Sequence, residues 1–185
     1  AYMIKKAVFM ISFLSFAGCV FSHPHVFIEP QVTLIVKKNF VEKAVITWIF
    51  DRMTSSAMIE HLGGGEGKSL DGKKVKKIKD EIFPGLSQYG YYTFISIDGG
   101  ENMEIKPRDL DIRISEEGNL IYEFTVPVER EAGSKVSVYF EDDEIYTAFD
   151  FEQWNISVRE SGGGEAEITV NTKERPYANI LEVEF

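Results

Sequence analysis

Hydrophobic and polar residues alternate along most of this chain, and this two-residue period constrains its fold more than any other feature. Val26, Ile28, Val32, Leu34 and Val36 share one phase of the first run, with Glu29, Gln31 and Thr33 in the other. Successive side chains of a β-strand point to opposite faces, so this run predicts a strand with one face in solvent. Further strands are predicted at 110–114, 120–128, 91–97, 136–140, 145–151, 154–159 and 165–170.

The turn Lys37-Lys38-Asn39 predicts a hairpin between the first two strands. Residues Ala44 to Phe50 are apolar in both phases, which is typical of a central strand covered on both faces. About eight strands at regular spacing predict an antiparallel β-sandwich.

One region, at about 52–89, breaks the alternation and predicts a small helical insertion, which makes the fold mainly β and α+β overall. Helices are expected from Thr54 to Leu62 and from Lys73 to Phe83, the second capped by Asp71 and ended by Pro84-Gly85. The glycine-rich segment 63–67 joins them. Residues 23–185 are therefore expected to form a single β-rich domain.

The first 22 residues predict a secretory signal peptide. Lys5 and Lys6 precede an apolar run from Ala7 to Ala17 that is too short to span a bilayer. The expected location is periplasmic or secreted, with His23 as the first residue after cleavage. An alternative is cleavage at Phe16-Ala17-Gly18-Cys19, which would leave a lipoprotein held at a membrane through Cys19.

The charge of the chain argues against nucleic acid as a partner. The formal net charge is −10, and it becomes −12 when Lys5 and Lys6 are removed with the leader. Binding to phosphate backbones requires clustered Lys and Arg, whereas an acidic surface is compatible with cations. Cys19 is the single cysteine, so no disulfide is expected within residues 23–185.

The triplet His23-Pro24-His25 is the most informative motif, because it holds two of the three histidines, close to Glu29. Imidazole is a common ligand of divalent transition metals and is neutral near pH 7. The triplet therefore predicts a metal site. The alternative is that two polar residues simply begin the first strand at an exposed terminus.

Two further residues are candidate metal ligands. Asp51 follows the central strand, and a hairpin with its turn at 38–39 places it within about one residue of register with His25, on the same face. Asp51 could equally cap the helix beginning near Thr54. His61 could complete the site, or it could interact with the dipole at the C-terminal end of that helix.

No pattern of catalytic residues accompanies these candidates. Residues 23–185 contain no cysteine and no Gly-x-Ser-x-Gly motif. A copper oxidase that uses an N-terminal histidine would rest on His23 alone. We therefore do not expect an enzyme.

The chain resembles a family of uncharacterised exported bacterial proteins. They are described as periplasmic components of ABC-type transport systems, and their genes often lie beside nickel/cobalt efflux permeases. The resemblance rests on four segments, His23-Pro24-His25-Val26-Phe27-Ile28, Thr47-Trp48-Ile49-Phe50-Asp51, Tyr89-Gly90-Tyr91-Tyr92-Thr93 and Tyr146-Thr147-Ala148-Phe149-Asp150-Phe151. It implies a periplasmic accessory or substrate-binding protein of a nickel, cobalt or zinc transport system, with a membrane permease as partner. The alternative is an interaction module that docks on such a permease without metal.

The chain departs from this family at two places. Many relatives carry an acidic, calcium-loop-like stretch after the first helix, where this chain has Gly63-Gly64-Gly65-Glu66-Gly67. Because that segment lacks the required carboxylates, calcium is not expected. Relatives often have a second acid after Asp51, where this chain has Arg52, which would weaken a metal site that used both carboxylates.

Overall fold

The structure is a computed structural model that describes residues 25–63, 70–131, 135–164, 166 and 168–184. The predicted signal peptide, Cys19, His23 and most of the glycine-rich segment lie outside these residues. Within them, no helix is both long and apolar enough to cross a membrane.

Ten strands form two sheets in the described residues. Their bounds are β1 Val26–Lys37, β2 Phe40–Phe50, β3 Thr93–Ile97, β4 Arg108–Ile114, β5 Leu120–Glu131, β6 Lys135–Phe140, β7 Thr147–Phe149, β8 Ile156–Glu160, β9 Thr169–Glu174 and β10 Asn179–Glu184. The large sheet has the order β4-β5-β2-β1, with β7 and β8 both on the far side of β1, and the small sheet has the order β3-β6-β10-β9. The predicted mainly β, α+β fold is confirmed.

One detail of the sandwich differs from the prediction, because the large sheet is mixed and not purely antiparallel. β1 pairs antiparallel with β2 but parallel with β7 at 26–28 and with β8 at 32–36. Pro30 lies in the gap between these two parallel pairings. Proline has no N–H to donate to a ladder, which explains why the neighbouring strand breaks there.

Alternation along the strands builds a core that both sheets share. Ile28, Val32 and Leu34 of β1 are buried, while Phe27 and Glu29 on either side of Ile28 are exposed. Trp48 of β2 lies at the centre, with its ring 5.1 Å from that of Phe124. The predicted phase of β1 and the central position of β2 are thus confirmed.

The helical segment predicted at about 52–89 lies between β2 and β3. It comprises α1 (Arg52–His61), α2 (Gly72–Lys77), a π-helical turn (Ile78–Ile82), α3 (Phe83–Gly85) and a 3-10 segment (Leu86–Tyr92). Asp71 caps α2 as predicted, since its carboxylate accepts a 2.8 Å hydrogen bond from the amide of Lys73.

Pro84 does not end the helical segment, contrary to the sequence expectation. The π-helical turn precedes it, and helical turns continue beyond Gly85. A local change of helical pitch can accommodate a residue that lacks an N–H, because the hydrogen-bond pattern is already altered there.

Ser55 joins α1 to the large sheet. Its side chain is fully buried, donates to the carbonyl of Phe50 at 3.0 Å and accepts from the amide of Leu120 at 2.8 Å. One hydroxyl therefore satisfies backbone groups of β2 and β5 together.

We expect Ser55→Ala to lower the free energy of unfolding by about 1–3 kcal/mol, because it leaves the buried Leu120 amide without its acceptor. The measurement is urea unfolding followed by circular dichroism. Ser56→Ala is the matched control, since Ser56 is exposed and bonds only to the carbonyl of Arg52. Its effect should stay within about 0.5 kcal/mol. Equal losses in both variants would show that Ser55 does not join the two elements.

Candidate functional site

The register of the first hairpin sets the distance between His25 and Asp51 along the sheet. β1 and β2 pair Ile28 with Phe50, and the amide of Asp51 donates to the carbonyl of Phe27 at 3.0 Å. Asp51 is thus opposite Phe27, and His25 lies two residues further along. The sequence analysis expected an offset of about one residue, and a bulge near the turn accounts for the difference, since the register shifts between Ile35 and Val36.

A groove of about 380 Å³ opens where β1 begins, β2 ends and β7 passes. We call it the β1 groove. Three carboxylates line it, those of Glu29, Asp51 and Asp150, together with Phe27, Ile28, Ile49, Phe50, Asn119, Ala148 and Phe149. Glu29 and Asp150 were not among the candidate ligands predicted from sequence.

The parallel pairing of β7 brings Asp150 to this groove. The amide of Asp150 donates to the carbonyl of Ile28 at 2.9 Å, which continues the ladder that pairs Phe149 with Ile28. Asp150 therefore lies beside Glu29 on the outer side of the sheet. Among the described residues, its carboxylate has no hydrogen-bond donor or ion-pair partner.

Glu29 is held by the 3-10 turn Gln153–Asn155, which lies between the edge strands β7 and β8. Asn155, which is buried, donates from its amide nitrogen to a Glu29 carboxylate oxygen at 3.0 Å. The amide oxygen of Asn155 accepts from the backbone of Glu152 at 2.8 Å. This chain of bonds orients Glu29 and leaves its second oxygen for another contact.

Asp51 acts as the N-cap of α1. One carboxylate oxygen accepts from the amide of Thr54 and the other from the Thr54 hydroxyl, each at 2.8 Å. Partial burial by itself would raise the pKa of Asp51, but the hydrogen bonds from Thr54, Met53 and Phe27 outweigh it and hold the pKa below its ordinary value. The capping interpretation is confirmed, and it leaves Asp51 with less freedom to bind an ion.

Replacing Asp51 tests the cap directly. We expect Asp51→Ala to reduce the free energy of unfolding by about 1 kcal/mol at pH 7, whereas Asp51→Asn should retain most of the stability because its amide oxygen still accepts from Thr54. A carboxylate with a lowered pKa in the folded state stabilises the protein above its unfolded pKa of about 3.9 and loses that contribution as pH falls further.

The comparison is unfolding by denaturant at pH 7 and at pH 3. The difference between the wild type and Asp51→Asn should shrink at pH 3, because the carboxylate of the unfolded chain then binds a proton that folding must displace. A constant difference at both values would contradict the assigned role of the carboxylate charge.

His25 is exposed and packs on an aromatic side chain. Its ring centroid lies 5.2 Å from that of Tyr146, and its amide donates to the carbonyl of Tyr146 at 2.8 Å. The loop that precedes β7 therefore fixes the residue at which β1 begins. His23 and Pro24 lie outside the described residues.

The structure separates His61 from Asp51. His61 is in the last turn of α1 and Asp51 precedes the first, so ten helical residues and roughly 15 Å lie between them. This position is favourable for interaction with the helix dipole, the alternative that the sequence left open. In the described part of the chain, no group of three or more His, Cys, Asp or Glu side chains is arranged to hold a metal ion.

The chain is similar to proteins that are described as uncharacterised. A family model with the description "Protein of unknown function (DUF1007)" matches residues 8–179. An "Uncharacterized protein" of Haemophilus influenzae is 27% identical over 117 residues, which cover 63% of this chain and 54% of that protein. The match thus spans about half the length of that relative.

Proposed function

The chain belongs to the DUF1007 family of proteins of unknown function, and we propose that it is a periplasmic accessory or substrate-binding protein of a transition-metal transport system. In this proposal it binds nickel, cobalt or zinc through His23 and His25 and delivers or receives the ion at a membrane permease. It catalyses no reaction.

The observation that carries this proposal is the β1 groove, whose lining begins at Phe27, two residues along the chain from His25. Glu29 and Asp150 lie next to each other in this groove. Imidazole nitrogens combined with carboxylate oxygens suit nickel, cobalt and zinc. The two carboxylates are therefore the side chains that would complete a coordination sphere begun by the histidines.

Asp51 and His61 have smaller parts in the proposed site. Both Asp51 carboxylate oxygens already accept hydrogen bonds from Thr54. His61 is held at the far end of α1. The proposal therefore rests on His23 and His25, with Glu29 and Asp150 as the carboxylates of the β1 groove that Thr54 does not bind.

A metal titration with a matched histidine control tests this proposal. We expect nickel, cobalt or zinc to raise the melting temperature of protein from which residues 1–22 have been removed. Binding to the native state contributes about 2.7 kcal/mol at a hundredfold excess over Kd. The gain should disappear in His23→Ala/His25→Ala, persist in His61→Ala, and shrink below about pH 6, where imidazoles take up protons.

The same titration separates the metal proposal from a second candidate, an interaction module that docks on a permease without metal. Three exposed aromatic side chains favour that candidate, namely Phe27 in the β1 groove, Tyr146 against His25, and Trp154, which are 44%, 53% and 79% exposed. Aromatic residues are enriched in protein interfaces. An unchanged melting temperature with all three metals would leave docking as the better account.

The predicted export of the protein can be tested separately from metal binding. When the chain is expressed with its leader in a Gram-negative host, we expect a periplasmic product that begins at His23, or a membrane-bound product that begins at a lipidated Cys19. Cell fractionation and intact mass measurement distinguish the two. A cytoplasmic product that retains residues 1–22 would contradict the proposal.

A further inference from the structure

A second groove is lined by residues of the loop that leads into β7. It has a volume of about 440 Å³, and we call it the aromatic-acidic groove. Tyr89, Tyr92 and Phe94 form one wall, and the loop 141–144 forms the other. Neither the metal proposal nor the docking candidate uses these residues.

The aromatic wall is built by an unusual turn of the backbone. Gly90, Tyr91 and Tyr92 have φ angles of 59°, 54° and 49°, in the left-handed region that side chains larger than glycine rarely adopt. The turn buries Tyr91 and leaves Tyr89 and Tyr92 stacked, with centroids 5.6 Å apart and planes 12° from parallel. Tyr89 is 41% exposed, so this stack presents aromatic surface to the groove.

The acidic wall is held in place by one buried carboxylate. Asp142 is 7% exposed and accepts from the amides of Glu144 at 3.0 Å and Thr147 at 2.9 Å. Asp143 and Glu144 are exposed, and within the described ranges neither side chain has an ion-pair partner. Burial raises the pKa of Tyr92, and the negative charges of Asp142 and Glu144 raise it further, as expected if these carboxylates face the phenol.

One cation of the protein itself, Arg175, already lies between an aromatic ring and a carboxylate. The guanidinium carbon of Arg175 lies 5.0 Å from the centroid of the Tyr139 ring, and one of its nitrogens is 3.3 Å from a carboxylate oxygen of Glu141. Tyr139 stacks on Phe94 at 4.6 Å, so this arrangement borders the groove. A cation between an aromatic face and a carboxylate gains from both the ring quadrupole and the negative charge.

We propose that the aromatic-acidic groove binds lysine or arginine side chains of a basic segment in a partner protein. The exposed Tyr89 ring offers a cation–π contact, and Asp143 and Glu144 offer the charges that complement the cation. Tyr89, Asp143 and Glu144 are exposed to solvent, which fits an extended chain better than a small molecule, since small ligands are usually enclosed. This inference does not depend on metal binding at the β1 groove.

Titration of the purified ¹⁵N-labelled protein with a synthetic peptide tests the proposal in metal-free buffer. The probe is the capped heptapeptide Gly-Arg-Gly-Lys-Gly-Arg-Gly. We expect amide shifts concentrated in 89–94 and 141–144. Asp143→Asn/Glu144→Gln should weaken binding about tenfold, because two complementary charges are lost, and Tyr89→Leu should weaken it several-fold, about the effect of one exposed cation–π contact.

The matched control is Glu60→Gln/Glu160→Gln, which removes two exposed carboxylates on other elements and should leave the Kd within about twofold. Equal weakening in this control, or shifts spread over the whole surface, would overturn the proposal in favour of general attraction to an acidic protein. Binding of methylguanidinium in the same groove with equal or higher affinity would overturn the assignment to a protein segment. His23→Ala/His25→Ala should bind the peptide like the wild type, so the metal proposal and this one can fail separately.

Discussion

The arrangement of the large sheet depends on β1, which is hydrogen-bonded on both sides along most of its length. β2 pairs with it on one side, and β7 and β8 pair with its two halves on the other. Its two-residue alternation buries Ile28 and Leu34 and turns Phe27 and Glu29 outward. A slip of one residue would exchange these sets, so core packing and the lining of the β1 groove are fixed by the same register.

Features that depend on neighbouring residues could be predicted from the sequence. The alternation in β1 and the apolar run in β2 identified both strands, and the residue types at the helix starts identified Asp71 as a cap and Asp51 as a candidate cap. Each of these is decided within a few residues of chain. The strand β10 (Asn179–Glu184) was not predicted, although Leu181 and Val183 alternate with Glu182 and all three are buried. The alternation of apolar and polar residues in β10 covers too few residues to predict a strand.

Features that depend on distant pairings could not be predicted. Asp150 reaches the β1 groove only because β7 runs parallel to β1, and nothing near residue 150 indicates which strand it will join. The offset between His25 and Asp51 depends on a bulge close to the hairpin turn, and one extra residue there moves every later pair. The separation of His61 from Asp51 follows from the length and direction of α1. The presence of residues that can bind metal does not reveal either property.

The break in the edge strand at Pro30 also bears on how copies of this protein meet each other. An uninterrupted sheet edge exposes a row of unpaired N–H and C=O groups. A strand from another molecule can form hydrogen bonds with them, which leads to aggregation. Here the β7–β8 edge is interrupted by the 3-10 turn Gln153–Asn155, and the opposite edge, β4, carries a bulge and the charged side chains Arg108, Asp109, Asp111 and Arg113. The interruption that lets Asn155 reach Glu29 therefore also protects the large sheet from edge-to-edge aggregation.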